Sequence, residues 1–219
     1  MNIVYISGSP RKNSNTDYLL KITLSVAGGQ FIKLANYRIE PCKSCRVCQK
    51  SGKCVIDDDM CNIIIPTLLK ADAIVIGSPV YFNNVSAQTK AFIDRTWCIR
   101  GRLRNKIGGA IVVGRRYGIE SAITAINAFF LKHEIIVANR GVCGIAFEEG
   151  EIVKDTEAIN AAKKLGERIK ELGKIKKYDM RFLLAAYKSG HTATLRSAKI
   201  GKAEIRMSAH CTPLIILLI

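Results

Sequence analysis

Asn2-Ile-Val-Tyr-Ile-Ser-Gly-Ser-Pro-Arg-Lys-Asn-Ser-Asn-Thr16 is the stretch on which the fold turns. Asn2–Ile6 reads as a short apolar strand, the next eight residues as a polar loop, and a helical pattern runs from about Asn15 to Ala27, where Gly28-Gly29 stops it. Outward from this unit the same rhythm repeats. Further strands are predicted at Gln30–Leu34, Ala73–Gly77, Gly109–Gly114 and Glu134–Ala138. Helices are predicted at Met60–Lys70, Ser86–Trp97 and Glu120–Lys132, and an amphipathic one at Thr156–Leu172. Strands that are apolar throughout need cover on both faces, so five of them separated by helices predict a doubly wound α/β sandwich. The expected parallel sheet has the order 2-1-3-4-5, with ligands outside the strand C-termini where that order reverses.

Composition bounds the rest. The chain has 219 residues, 48% of them hydrophobic, which is enough for a real core and excludes disorder as the main state. No run approaches the 20 or so apolar residues of a membrane span, and Pro213–Ile219 is far too short. The N-terminus reads as a strand rather than a secretory signal, which makes a cytoplasmic location the expectation and reduced thiols or metal ligands the first reading of the eight cysteines. The formal charge is +16, of which +7 falls in residues 174–219 and +9 in residues 1–173. The chain is therefore expected to divide into a domain over 1–173 and a basic extension over 174–219, with a short helix near Asp179–Lys188 and a loosely ordered segment from Ser189 onward.

The loop after the first strand has neither Gly-x-Gly-x-x-Gly nor a Gly-Lys-Ser/Thr ending, so a dinucleotide fingerprint and a P-loop are both excluded. It offers hydroxyls at Ser7, Ser9, Ser14 and Thr16, amides at Asn13 and Asn15, and the cation of Arg11. All lie before a helix N-terminus, where free N–H groups and the helix dipole favour a phosphate. The loop after the third strand, Gly77-Ser-Pro-Val-Tyr-Phe-Asn-Asn-Val-Ser86, adds the aromatic faces of Tyr81 and Phe82. One phosphate site with a flat aromatic wall points to a mononucleotide with a large planar ring, FMN. On the structural alternative, the loop is an ordinary helix cap and the two aromatic residues pack under the next helix.

Cys42-x2-Cys45-x2-Cys48-x5-Cys54 is the most informative spacing in the chain. Three cysteines at intervals of three converge on one side of a compact loop, and a fourth can close the site if Gly52 supplies the sharp return. A 4Fe-4S cluster, a four-cysteine zinc site and unmetallated thiols compete. Zinc sites separate two cysteine pairs by a longer segment, so the immediate third cysteine argues for a cluster. Cys61, Cys98, Cys143 and Cys211 are scattered and make no second set.

Ser7–Thr16, Gly77–Phe82, Ser86-Ala-Gln-Thr-Lys-Ala-Phe-Ile-Asp-Arg95 and the loop Gly114-Arg-Arg-Tyr-Gly118 together resemble the flavodoxin-like NADPH-dependent FMN reductase superfamily, over residues 2 to about 172. The resemblance implies a flavodoxin-like sandwich with a cysteine-rich loop insertion. It also implies a phosphate held by Ser9, Arg11, Ser14, Asn15 and Thr16. The isoalloxazine would lie against Pro79, Val80, Tyr81 and Phe82, with Gly114, Tyr117 and Gly118 from the third loop. With Cys42, Cys45, Cys48 and Cys54 added, the chain resembles the iron–sulfur flavoproteins of anaerobic archaea and bacteria. That resemblance implies a ferredoxin-like electron donor and a homo-oligomer, a dimer or tetramer, in which cluster and flavin meet across a subunit interface.

The function expected is electron transfer between an external donor, a 4Fe-4S cluster and FMN, with no side chain acting as nucleophile and with Arg115 or Arg116 tuning the flavin. A NAD(P)H-dependent FMN or quinone reductase with a structural cysteine loop is the alternative. A basic nucleic-acid or partner-binding protein is a third reading that rests on charge alone, without a reader motif. Three further features are expected to be structural. Asp57-Asp-Asp59 caps the helix that follows, Trp97 lies in the core, and His133, His191 and His210 have no ligand-spaced partner. Arg95, Arg100, Arg102, Arg104 and Lys106 form a basic cluster, read either as a solvated connection or as a landing site for an acidic donor or NADPH phosphate.

Overall fold

The computed structural model describes residues 1–188, 198–200 and 203–205, with side chains described as far as residue 177. By its internal contacts the chain divides into two units, Met1–Ile175 and Lys176–Ile219. The strands are β1 (Ile3–Ser7), β2 (Gln30–Lys33), β3 (Ala73–Tyr81), β4 (Asn84–Val85), β5 (Ile107–Gly114), β6 (Ile136–Val137), β7 (Val142–Ile145), β8 (Ala198–Ile200) and β9 (Ala203–Ile205). The helices are α1 (Asn15–Ala27), α2 (Val47–Ser51), α3 (Ile65–Lys70, opened by a π turn over Met60–Ile64), α4 (Ala87–Arg95), α5 (Ile119–Lys132) and α6 (Thr156–Lys188).

The central sheet runs β2-β1-β3-β5-β6, and its main pairings are parallel, so the expected order holds. It has seven strands rather than five, for two local reasons. β3 continues past Gly77 and folds back onto β4 through Phe82 and Asn83, both left-handed at φ +50° and +61°, which is a two-residue hairpin turn. The predicted fifth strand is shorter than expected, β6, and a further strand that was not expected, β7, follows it. β6 pairs with Ile107–Gly108 of β5 and β7 with Ile111–Gly114. Between them Asn139 Oδ1 accepts the Gly141 N–H at 3.0 Å, and Gly141 stands at φ +129°, so these turn residues break the ladder.

Alternation along the strands sends side chains to two cores. Val4, Ile6, Ile74, Ile76, Ala110 and Val112 pack under α3, α4 and α5 against Leu68, Phe92, Ile126 and Phe130. Ile3, Tyr5, Ala73, Val75, Ile107 and Ile111 pack under α1 and α6 against Leu19, Leu20, Ala162 and Leu165. Three layers with a doubly covered sheet follow. Helix α6 is continuous from Thr156 to Lys188, without the break that the change of composition near Lys174 suggested, and it covers the short helix expected at Asp179–Lys188. The second unit holds the end of α6 and the antiparallel pair β8 and β9, with Ala198 opposite Ile205. The rest of the extension expected from Ser189 lies outside the described residues. Among the described residues no helix is long and apolar enough to cross a membrane.

Candidate functional site

The loop between β1 and α1 is built as a helix entrance. Ser14 is the N-cap of α1, its hydroxyl accepting the Asp17 N–H at 3.2 Å. Asp17 is buried, accepts a hydrogen bond from the Ser7 hydroxyl and pairs with Lys33 of β2 at 2.5 Å. Asn13 and Asn15 reach across to the loop after β7, donating to Glu149 Oε1 at 2.9 Å and to the Glu148 carbonyl at 2.8 Å. Several polar groups of this loop are thus occupied within the fold. The first-turn N–H groups of α1 have no intrahelical acceptor, and Ser9, Arg11, Ser14 and Thr16 stand beside them.

Beneath this loop lies a fully buried hydroxyl network. Ser86 donates to the Gly8 carbonyl at 2.6 Å and lies 2.9 Å from Thr89 Oγ1, and Thr89 in turn donates to Ser78 Oγ at 3.1 Å. The Ser86 hydroxyl also caps α4 by accepting the Thr89 N–H. Gly8 is required here: a Cβ on it would stand 1.8 Å from Thr89 Oγ1. This network fixes the loop after β1 to the loop after β3 at the point where the strand order reverses.

A cleft of about 250 Å³ opens there, lined by Ser9, Arg11, Ser14, Asn15, Thr16, Pro79, Val80, Tyr81 and Gly114, together with Val113, Arg115, Ala146 and Phe147. Nine of the twelve nominated flavin residues therefore come together. Three do not line it. Phe82 is fully exposed at the hairpin tip, Tyr117 is 84% exposed, and Gly118 faces a neighbouring cavity with Tyr117 and Arg116. Glycine at 118 has a packing reason, since a Cβ would stand 2.4 Å from Asn83 Cα at φ +77°. The sequence reading missed Phe147, whose only signal was its position after a strand that was itself missed. A phosphate suits the loop's donors, and Asn15 Oδ1, buried without a partner in the cleft wall, is an acceptor matched to the hydroxyls of a polyol chain.

The cysteine loop lies between β2 and α3. Ser44 and Arg46 are left-handed at φ +53° and +60°, which turns the chain sharply between Cys42, Cys45 and Cys48. Cys48 lies on α2, and Gly52 ends that helix at φ +67°, the return expected of it. All four cysteines line one cavity of about 700 Å³, whose far wall is Ile93, Thr96, Trp97, Arg100, Phe129 and His133. Burial and the charges of Cys54, Cys45 and Cys42 push the Cys48 thiol up, so these sulfurs are close enough to repel one another as thiolates. The donor set fits a thiophilic cationic centre in type and number. Among the described residues, however, no three metal-ligating side chains already stand in a metal-holding arrangement.

Three expectations around this loop are corrected. Trp97 is 38% exposed rather than core, with the guanidinium carbon of Arg100 and Lys132 Nζ at 4.7 and 5.5 Å from its ring centre. The basic cluster is not one patch. Arg95 is 2% exposed and paired with Asp58, Arg104 pairs with Glu134, and Lys106 donates to the Leu69 and Ala71 carbonyls. The aspartates do more than cap. Asp58 accepts the Glu40 N–H at 2.9 Å and Asp59 the Arg38 N–H at 2.7 Å, tying the two stems of the cysteine loop together.

A parallel sheet in this order, with a polar loop at a helix N-terminus and an aromatic-walled cleft at its switch point, defines a flavodoxin-like α/β protein. The family model for NADPH-dependent FMN reductase matches residues 1–150. An iron–sulfur flavoprotein of Methanocaldococcus jannaschii is 38% identical over 80% of this chain and 98% of its own length. Another, from Methanosarcina thermophila, is 34% identical over 77% and 93%. The NAD(P)H:quinone oxidoreductase of Methanothermobacter marburgensis shares the fold with a TM-score of 0.58 at 16% identity, covering 76% of this chain and 97% of that one. The chain belongs to the iron–sulfur flavoprotein family, within the NADPH-dependent FMN reductases, and is an FMN-dependent oxidoreductase.

Proposed function

We propose that the chain is an electron-transfer oxidoreductase that holds FMN in the cleft at the switch point and a 4Fe-4S cluster on Cys42, Cys45, Cys48 and Cys54. The observation that carries this reading is the meeting of all four cysteines of one 13-residue loop on a single cavity, in a chain whose relatives are iron–sulfur flavoproteins. When bound, the cluster supplies one-electron and the flavin one- or two-electron chemistry. The chain's own task is to hold and insulate. Ser9, Arg11, Ser14, Asn15 and Thr16 with the α1 N-terminus bind the phosphate. Pro79, Val80, Tyr81 and Gly114 line the cleft, while Phe82, Tyr117 and Gly118 stand outside it and would reach the flavin only as the ring projects from the cleft. Arg115 lines the cleft and donates to the Phe147 carbonyl at 3.4 Å. A cation there favours the reduced, anionic flavin, so Arg115→Gln should lower the flavin potential in a spectroelectrochemical titration.

The two cavities share no lining residue. That separation supports a homo-oligomer, dimer or tetramer, in which the cysteine cavity of one protomer faces the flavin cleft of another, with a ferredoxin-like donor outside; the location proposed for it is the cytoplasm. Anaerobic purification followed by iron, sulfide and FMN analysis tests the proposal. Four iron and four sulfide per chain, with a visible band that bleaches on reduction, are expected. Stoichiometric zinc, or thiols without metal, would reject the cluster. The family match favours NAD(P)H as the competing donor. Flavin bleaching by NAD(P)H alone, without ferredoxin, would move the reading to a reductase with a structural cysteine loop.

A further inference from the structure

Arg95 ends α4, far in sequence from the cysteine loop, yet its guanidinium is wholly enclosed by that loop's two stems. Before the loop, Nη1 donates to the Glu40 carbonyl at 2.7 Å. After it, Nη2 donates to the Ile56 carbonyl at 3.4 Å, and the two nitrogens grip Asp58 at 2.6 and 2.8 Å in a bidentate pair. Asp58 closes the ring by accepting the Glu40 N–H. Nη2 also donates to Cys61 Sγ at 3.3 Å, so the fork engages the cysteine just beyond the loop, which stands beside Cys54. A planar fork suits this task. Lysine could match its charge but not the two directed Nη groups that act here, Nε being buried without a partner.

A solvent-exposed surface pair would contribute little, but this pair has no access to water, and a buried charge is tolerated only when its partners are fixed. The fork joins the residues before Cys42 to those after Cys54, and so sets where the fourth cysteine returns relative to the first three. We propose that Arg95, with Asp58, is a positioning residue for the cysteine loop and a determinant of cluster assembly and retention. The proposal rests on the cluster reading for its function, and its geometry is independent of it.

The test compares wild type, Arg95→Gln, Arg95→Lys and the charge-free pair Arg95→Met with Asp58→Leu, the last keeping a buried charge from being stranded if the single variant does not fold. Iron and sulfide per bound FMN are measured, with the rate at which a strong iron chelator bleaches the visible band. Expected for Arg95→Gln and for the pair are unchanged FMN and far-ultraviolet dichroism, iron cut by half or more, and bleaching at least tenfold faster. Arg95→Lys should recover part of both. Folded, FMN-loaded variants with wild-type iron and bleaching rate would overturn the proposal. If wild type itself carries no iron, the cluster reading fails alone. The alkylation rates of Cys42 and Cys54 then decide the positioning role, a tenfold rise in the variants supporting it and equal rates overturning it.

Discussion

Gly118 shows how one atom can matter beside the switch-point cleft. It stands at φ +77°, and a Cβ there would meet Asn83 Cα at 2.4 Å, a backbone atom that cannot swing aside. Left-handed strain and overpacking add, so Gly118→Ala should cost about 2–4 kcal/mol in denaturant unfolding. It should also weaken FMN retention, because the hairpin it would displace carries Tyr81. His133 poses a different question. Thr96 Oγ1 donates to the Ile93 carbonyl at 2.6 Å, so its oxygen is left to accept from His133 Nε2 at 3.0 Å. The imidazole is then the Nε2–H tautomer, and Nδ1 is buried without a partner. Protonation would place a charge and an unpaired N–H in the core. Burial, with the nearby Lys132 charge, accordingly holds the His133 pKa below its ordinary value. The unfolded chain therefore binds more protons between the lowered folded pKa and the ordinary value near 6.5. Stability should rise with pH across that window and level off above it. In thermal unfolding from pH 5 to 7.5, His133→Gln should show a shallower rise than wild type, and equal slopes would refute the assignment.

Helices α1 and α6 meet through a notch rather than a ridge. The Thr23 hydroxyl donates to the Ala162 carbonyl at 3.0 Å, and a Cβ on Gly166 would stand 2.8 Å from Val26 Cβ and 3.0 Å from the Thr23 carbonyl. Alanine at 166 gains about 1 kcal/mol of helix propensity and loses about 1–3 kcal/mol to overpacking. Gly166→Ala should therefore lower the melting temperature, and a rise would show that the notch has slack. Contacts of this kind set the limit of what the sequence could reveal. The strand–loop–helix units were legible because their periodicities are local, and α1 was read to its bounds. β7 was not, since Val142-Cys-Gly-Ile145 is short and follows turn residues that make it look like loop. Arg95 was misread for a related reason. On a helix end beside other basic residues it looks solvated, and only the tertiary fold brings Glu40, Ile56 and Asp58 around it. The flavin cleft was legible where it uses loop residues next to strand ends, and illegible where Phe147 and Ala146 enter from the far edge of the sheet.

At the scale of the molecule, the charge of +16 loses its force as a sign of nucleic acid, because +7 of it falls in residues 174–219, largely outside the flavodoxin-like unit. The arrangement of the two cavities says more. One sits at the strand C-termini, the other against α4, α5 and the cysteine loop, and they share no lining residue. Mutations at distant sites without shared partners add to within about 0.3–0.5 kcal/mol, roughly a factor of two in a binding constant. Within one chain, the two groups should therefore load independently. Cys45→Ser should abolish iron incorporation while leaving the FMN dissociation constant within about twofold of wild type. Arg11→Gln with Ser14→Ala should do the reverse, releasing FMN on dialysis while iron and sulfide stay at wild-type levels. A strong loss of FMN in the cysteine variant would mean that the two sites are coupled, and the proposed protomer interface would then be the place to look for that coupling. Measuring both variants over a wide range of protein concentration separates the cases, since coupling through the proposed interface vanishes on dilution and coupling through the fold does not.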